Sequence, residues 1–314
     1  MKMMPFWISE IASVIPESRI PPPIGSDDQN RAGYISVAVE DQRAGGELAQ
    51  DTVVKLATKI GEKPMSSLQA VFHASVVDQG MGVFWNPGYA LQHVAGAAKA
   101  DSLSLRQGCN GLMVALAQAG KLSQSGKRSL VAGSDCFDIP GFDRFSSDYG
   151  IMYGDGAAAC IVGGSTGRFR VLDIVEISST KLAALHDGRG FATGDVRSAK
   201  KRYLEQNGKD YLTRMTRRAM AQLSVKAKEY KVERILFPNL GKELLESNYY
   251  PAFDRAEERS AAELGRRIGH LGTTDQLVAL ENLHTTGEIC AGQRILLIGA
   301  GSGFSWSAIV MEVA

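Results

Sequence analysis

Ser102-Leu-Ser-Leu-Arg-Gln-Gly-Cys-Asn-Gly-Leu-Met-Val-Ala-Leu116 changes its period halfway along. The first residues alternate polar and apolar, as a half-buried strand does; the last are apolar at helical spacing. Gly108-Cys-Asn-Gly111 lies between. The stretch reads as strand, tight turn and buried helix, with the Cys109 thiol at the first turn of the helix. A helix N-terminus carries unpaired N–H groups and a partial positive charge, and both favour thiolate over thiol. Cys109 is therefore a candidate nucleophile. The alternative is a small buried residue where a strand meets a helix.

Similar units flank this one. Met1 to Glu10 reads as a first strand, Gly46 to Ile60 as a helix, Leu68 to Ser75 as a strand and Tyr89 to Ala100 as an Ala-rich helix. Arg128 to Asp135 is a strand, and Gly154 to Val162 a glycine turn entering another. In the second half, Tyr203 to Tyr230 reads as one long amphipathic helix, Val232 to Phe237 as a strand, and Asp254 to Ile268 and Gln276 to Leu283 as helices. Arg294 to Gly301 and Phe304 to Val313 are strands.

An internal repeat runs through this order. Leu112-Met-Val-Ala-Leu116 precedes Arg128-Ser-Leu-Val-Ala-Gly133 at nearly the distance by which Leu277-Val-Ala-Leu280 precedes Arg294-Ile-Leu-Leu-Ile-Gly299. A glycine turn and a final strand follow each time. Two copies of one α/β unit predict a duplicated, pseudo-twofold fold with halves at 1–165 and 166–314. The repeat also places Gly269-His-Leu-Gly-Thr-Thr-Asp-Gln276 beside Cys109 across the pseudo-axis. That segment holds His270 and Asp275, the pair an activated cysteine requires.

Composition narrows the partners. The 314 residues are 44% hydrophobic and 22% charged, with a net charge of +1, so nothing draws the whole chain to nucleic acid or to a membrane. The four cysteines, Cys109, Cys136, Cys160 and Cys290, show no CxxC spacing. That argues against a disulfide framework or a metal site and for a reducing, cytoplasmic compartment. The N-terminus lacks the pattern of a signal peptide.

At Gln107-Gly-Cys-Asn-Gly111, Tyr153-Gly-Asp-Gly-Ala157 and Gly299-Ala-Gly-Ser-Gly-Phe-Ser-Trp306 the chain resembles the type III β-ketoacyl synthases of the thiolase superfamily. The resemblance implies a five-layered αβαβα fold and a homodimer. It also implies acyl transfer onto Cys109 from a CoA or acyl-carrier-protein thioester, with no tightly bound cofactor. The family carries a catalytic histidine in a His-Gln-Ala-Asn motif; the matching stretch here is Leu236-Phe-Pro-Asn-Leu-Gly241, where Asn239 is a candidate substrate-binding residue. The family's catalytic asparagine aligns with His270. The pattern resembles a divergent branch of antibiotic and polyketide tailoring enzymes that acylate oxygen or nitrogen.

Cys109, His270 and Asp275 thus remain as a set suited to acyl transfer, in which His270 moves protons and Asp275 orients it. The five residues between them require the Gly-Thr-Thr turn to fold the chain back. The backbone N–H groups of Cys109 and Ser302 are the candidate oxyanion donors. Gly301 and Gly303 let the backbone close on a carbonyl, or else serve only a tight strand connection. Phe304 follows them as a candidate substrate contact. His186, in a loop-like segment, is a rival histidine or a lid residue over the substrate. Met81 and Phe84 are candidates to limit acyl length at the family's dimer interface. His73 reads as a core histidine.

Lys200-Lys-Arg202, Lys209, Arg214, Arg217 and Arg218 form a basic region on and before a helix, in which Arg214, Arg217 and Arg218 share one face, either as a solvated surface or as a docking patch for an acidic carrier protein or a phosphopantetheine phosphate. The early loop, Pro21 to Arg31, lacks the tryptophan of the family's CoA clamp, which favours a carrier-bound donor. The first expectation is an acyltransferase that passes a short acyl group to a small-molecule acceptor. The alternatives are a decarboxylative ketosynthase using malonyl-carrier protein and a non-catalytic ketosynthase partner subunit.

Overall fold

The computed structural model describes residues 4–23, 32–186 and 196–314. Eleven strands lie in the described residues: β1 Phe6–Val14, β2 Arg19–Ile20, β3 Val37–Ala38, β4 Ala70–Ala74, β5 Asp101–Leu105, β6 Ser129–Asp135, β7 Gly156–Val162, β8 Phe169–Ser178, β9 Arg234–Leu236, β10 Arg294–Gly301 and β11 Ser305–Val313. The main helices are α1 Gly45–Ile60, α2 Glu62–Ser66, α3 Pro87–Val94, α4 Gly111–Ser123, α5 Val196–Asn207, α6 Tyr211–Glu229, α7 Ala262–Ile268 and α8 Asp275–Thr285.

Nine strands form one mixed sheet in the order β5-β4-β6-β7-β1-β8-β11-β10-β9. Its two sides repeat one another. β4 and β6 run parallel and β6 and β7 antiparallel, as do β9 with β10 and β10 with β11. The halves meet where β1 pairs antiparallel with β8, through Phe6 with Val171 and Ile8 with Phe169.

Strand alternation sorts the side chains into layers. Val131 on β6 and Ile295 and Leu297 on β10 point into one central core with Leu112 and Leu116 of α4 and Leu277 and Leu280 of α8. Their neighbours Leu130 and Ala132 face the other way, onto Val53 and Leu56 of α1. Leu296 and Ile298 face Met220 and Leu223 of α6. The result is helix, one side of the sheet, buried helix pair, the other side of the sheet, helix: the five-layered α/β arrangement expected. Among the described residues no helix is long and apolar enough to cross a membrane.

Several elements differ from expectation. The strand Phe169–Ser178 was not anticipated, although Phe-Arg-Val alternates and the run is β-branched; it forms the second half's side of the seam. The long helix is two, α5 and α6, because Gly208 takes φ +100° between them. Gly96 (φ +64°) stops the helix expected to reach Ala100. The first half of Asp254 to Ile268 is turns, and α7 begins only at Ala262. Most of the early loop, residues 24–31, and the segment 187–195 after His186 lie outside the described residues.

Candidate active site

α4 and α8, the two pseudo-equivalent buried helices, begin beside one another. Cys109 does not sit in the first turn of α4 as expected. It precedes the helix by two residues, in a turn closed by the Gly111 N–H donating to the Gly108 carbonyl at 2.9 Å. Gly108 has φ +54°, and a Cβ there would lie 2.7 Å from the Ser302 nitrogen. A Cβ on Gly301 would lie 2.4 Å from the Asn110 nitrogen. Bare glycines on both turns therefore let the Cys109 turn and the 301–303 turn touch. Asn110, fully buried, fixes the contact: its Nδ2 donates to Ser305 Oγ at 2.9 Å and to Ser307 Oγ at 2.8 Å on β11.

His270 enters from the opposite half. Its backbone pairs with the Tyr153-Gly154 stretch: the His270 N–H donates to the Met152 carbonyl at 2.8 Å, and the Gly154 N–H donates to the His270 carbonyl at 3.0 Å. A Cβ on Gly154 would lie 2.0 Å from the Ile268 carbonyl oxygen, which explains a glycine at that point of the Tyr-Gly-Asp-Gly-Ala motif. The motif's Asp155, fully buried, pairs with both terminal nitrogens of Arg144 and accepts the backbone N–H groups of Glu40 and Phe137.

Five residues on, Asp275 opens α8 and folds back. His270 Nδ1 and Asp275 Oδ2 are 2.5 Å apart, and both side chains are buried. Asp275 Oδ1 accepts the Leu271 N–H at 2.7 Å, and Oδ2 accepts the Asn239 N–H at 2.7 Å. The intervening turn uses Gly272 at φ +64°. It is anchored to the first half by Asp135, which accepts the Thr273 N–H at 3.0 Å and the backbone N–H groups of Val76 and Val77.

Burial by itself disfavours a charged imidazole. The Asp275 carboxylate and then the Cys109 sulfur more than reverse this, so His270 titrates well above the usual histidine range. Its partners are thus one carboxylate behind the ring and one sulfur in front. The phenols of Tyr153 and Tyr249 also feel Cys109; burial first, and negative neighbours second, keep both protonated.

A stability consequence follows. The folded-state value lies above the unfolded value of about 6.5. The His270–Asp275 pair therefore contributes its full stabilisation below about pH 6.5 and loses it as pH rises through the raised value. Unfolding free energy is therefore expected to fall as pH rises above about 6.5, relative to an Asp275→Asn variant. Urea titrations at stepped pH check this.

Cys109 and His270 open onto a cavity of about 630 Å³. Of the residues singled out from the sequence, His186, Gly301, Ser302, Phe304 and Arg217 also line it. Asp275 lies behind His270. Gly303 is exposed beyond the lining, and Arg214 and Arg218 are exposed elsewhere on α6. Met81 and Phe84 do not reach the cavity within one chain: Met81 packs towards Gly46, and Phe84 is 100% exposed. His73 is buried, with Nε2 2.9 Å from Ser134 Oγ and its pKa pushed down to about 3 by burial.

Asn239 is placed differently from the substrate contact expected. It does not line the cavity. Its Nδ2 donates to the Gly269 carbonyl at 2.9 Å while its backbone N–H holds Asp275. It positions the His270 segment rather than touching substrate. Asn239→Ala leaves the Gly269 carbonyl without this donor, with an expected cost of about 1–3 kcal/mol. Denaturant unfolding measures the loss, and acyl transfer should fall less than in an Asp275 variant because the Asn239 N–H remains.

Sequence reasoning missed Asp148, Tyr153 and Tyr249, which also line the cavity, and Lys200 of the basic region lines it too. Tyr249 sits in an irregular helical segment, 242–252, that contains a single π turn, Leu245–Tyr249.

Two family models match, 3-Oxoacyl-[acyl-carrier-protein (ACP)] synthase III over residues 103–179 and its C-terminal counterpart over residues 225–313, together just over half of the chain. The Beta-ketoacyl-[acyl-carrier-protein] synthase III of Geobacillus kaustophilus (strain HTA426) is 24% identical over 294 residues, covering 91% of this chain and 83% of that protein. The solved structure of ChlB3, described as an "Aceyltransferase", superposes with a TM-score of 0.89 at 25% identity, covering 99% of this chain and 98% of the other. The synthase III of Thermus thermophilus superposes with a TM-score of 0.78 at 20% identity, covering 98% and 99%. With Cys109 and His270 meeting at the paired helix starts of a thiolase-like fold, the chain belongs to the 3-oxoacyl-[acyl-carrier-protein] synthase III family of acyl-transferring and condensing enzymes.

Proposed function

We propose that the protein loads a short acyl group from a CoA or acyl-carrier-protein thioester onto Cys109. It then transfers that group to an oxygen or nitrogen nucleophile of a specialised metabolite or polyketide intermediate. The observation that carries this reading is the engagement of Asn239. It lies in the stretch where the resemblance places the condensing enzymes' histidine, and its side chain is turned onto Gly269, away from the cavity. The donor pair that steadies an enolate during decarboxylation is thereby missing, and such electrostatic help is often the largest catalytic contribution. A single imidazole backed by a carboxylate serves acyl transfer instead. The likeness to ChlB3 supports the same reading.

The chemistry follows from the charges around His270. The Cys109 sulfur, beside the His270 imidazolium, attacks the thioester carbonyl as its thiolate while the N–H groups of Cys109 and Ser302 face the oxyanion. Collapse expels the donor's thiolate, which takes the His270 proton. The acylated sulfur no longer carries negative charge, so one of the two influences that raise His270 is gone. The neutral ring then accepts a proton from the incoming O–H or N–H as that atom attacks the acyl carbon. Collapse releases the product and restores the thiolate–imidazolium pair.

The apolar surface around the 80–85 loop supports a homodimer. Val83 is 95% and Phe84 100% exposed, and Tyr89 and Leu103 lie open nearby in the chain. Among the described residues β5, which carries Leu103, ends the sheet and pairs on one side only. An open edge with exposed apolar residues is a pairing surface. Arg217, Lys201 and Lys209 at the cavity mouth suit a phosphopantetheine phosphate or an acidic carrier.

The test incubates acyl-loaded protein with malonyl-carrier protein and, separately, with hydroxyl and amine acceptors. Ester or amide formation without CO₂ release supports transfer. Malonate-dependent CO₂ release would replace this reading with the condensing one.

A further inference from the structure

The steps above use Cys109, His270 and Asp275 and leave a second charged group in the same cavity without a role. Asp148 is 8% exposed. Its Oδ1 accepts Lys200 Nζ at 2.8 Å and the Tyr149 N–H at 2.8 Å, and its Oδ2 accepts the Tyr153 hydroxyl at 3.2 Å. Lys200 comes from α5 in the second half; Asp148 and Tyr153 come from the first. His186, the last residue of the 3₁₀ turn Thr180–His186, shares this wall. The Tyr153 ring centroid lies 5.4 Å from that of His270. A continuous polar strip therefore leads from the reacting groups, past one phenol ring, to the carboxylate and ammonium.

Around this strip the wall is mainly apolar or aromatic, with Ile151, Leu204, Leu212, Leu240, Tyr249 and Phe304. Charged groups in such a wall are retained where they pair, as Asp148 and Lys200 do. A carboxylate offers roughly four acceptor positions, of which Asp148 has three filled. Lys200 carries three protons and gives one to Asp148. His186 is held below the usual histidine range by burial and by Lys200, so its ring is neutral, with one donor and one acceptor.

The ligand group that fits is neutral and both donates and accepts. A carboxylate on the ligand would face Asp148, and an ammonium would face Lys200. An alkyl chain would leave both charges dry. A hydroxyl donates to Asp148 or His186 and accepts from Lys200. We propose that Asp148, Lys200 and His186 form a recognition site for a hydroxyl group of the substrate, held about one aromatic ring away from the reacting sulfur. This inference rests on the reading that the cavity takes acyl donor and acceptor to Cys109. The hydroxyl belongs either to the acyl chain or to the acceptor.

Binding to Cys109→Ala protein separates those sources without requiring chemistry. Ligand-observed NMR titrations would compare the N-acetylcysteamine thioesters of butanoic and 3-hydroxybutanoic acid, and also cyclohexanol and cyclohexane-1,3-diol. The hydroxylated member of at least one pair is expected to bind tenfold or more tightly, about 1.4 kcal/mol. A preference in the thioester pair assigns the hydroxyl to the acyl chain, and one in the alcohol pair assigns it to the acceptor. Adding Lys200→Gln or Asp148→Asn should bring the ratio to within about twofold of unity. A merely structural role would weaken both members alike and leave the ratio standing. Lys200→Gln, at a half-buried helix position, keeps the test valid should Asp148→Asn fail to fold. Ratios near unity in both pairs, or a ratio untouched by the variants, overturn the proposal. Failure of the acyl-transfer reading shows separately, as wild-type protein that forms no butanoyl adduct.

Discussion

Asp275→Asn is expected to lower acyl turnover by about 10⁴-fold, the size seen when the carboxylate of a comparable triad becomes an amide. The shape is conserved, so the cause is hydrogen-bond polarity. Asp275 accepts at both oxygens: the Leu271 N–H on one, the Asn239 N–H and His270 Nδ1 on the other. An amide has only one accepting atom. In either orientation its NH₂ meets a backbone donor, and the imidazole must change tautomer or move. The charge that lifts His270 above the usual range also disappears, so the imidazolium loses its carboxylate partner. The loss should appear in both acylation and transfer, with a stability cost of about 1–3 kcal/mol from the unpaired buried donor. Stopped-flow release of the donor thiol, together with urea unfolding of the same variant, checks both effects.

His270→Ala is expected to divide the two steps. Proton transfer by a positioned histidine contributes about 10²–10⁴-fold. In acylation the expelled thiolate takes its proton from solvent instead, and a strong thioester donor given time still loads Cys109. Transfer needs a base for the incoming hydroxyl or amine, and the cavity holds no other imidazole beside the sulfur: His186 lies with Asp148 and Lys200. The acyl-enzyme should therefore accumulate, with its decay slowed 10²–10⁴-fold. Time-resolved intact mass of the loaded variant, with and without acceptor, measures that decay. Decay at the wild-type rate would remove His270 from the second step.

The parts of this protein visible in the sequence are those in which local pattern and tertiary role coincide. The change of period through Cys109 marks strand, turn and helix because those neighbours meet in the chain as well as in space. The repeated apolar runs placed the His270 turn beside Cys109 because equivalent helices of a duplicated fold start at one point. The break at Gly208 was hidden by amphipathic residues on both sides, whose spacing continues through it. β8 was legible in its β-branched alternation but carries partly buried rather than strictly in-and-out residues, since it packs at a seam between two halves.

Side-chain direction and long-range pairing were beyond such reading. Nothing local tells Asn239 to turn onto Gly269, since that choice depends on a backbone carbonyl 30 residues away. Lys200 was read as part of a basic surface, yet it reaches Asp148, 52 residues distant, inside the cavity wall. Arg217 lines the same cavity, whereas Arg214 and Arg218, on the same helix face by spacing, do not. A helix-face argument groups residues by rotation and cannot see where the neighbouring 242–252 segment ends.

The central claim is that Cys109 carries the acyl group and His270 releases it. Intact-protein mass spectrometry after incubation with acetyl and longer acyl-CoA and acyl-carrier thioesters tests this most directly, comparing wild type, Cys109→Ala and His270→Ala. The account predicts a single acyl adduct in wild type that an acceptor discharges, no adduct in Cys109→Ala, and a persistent adduct in His270→Ala. An adduct that survives Cys109→Ala, or no adduct from any donor in wild type, would contradict it.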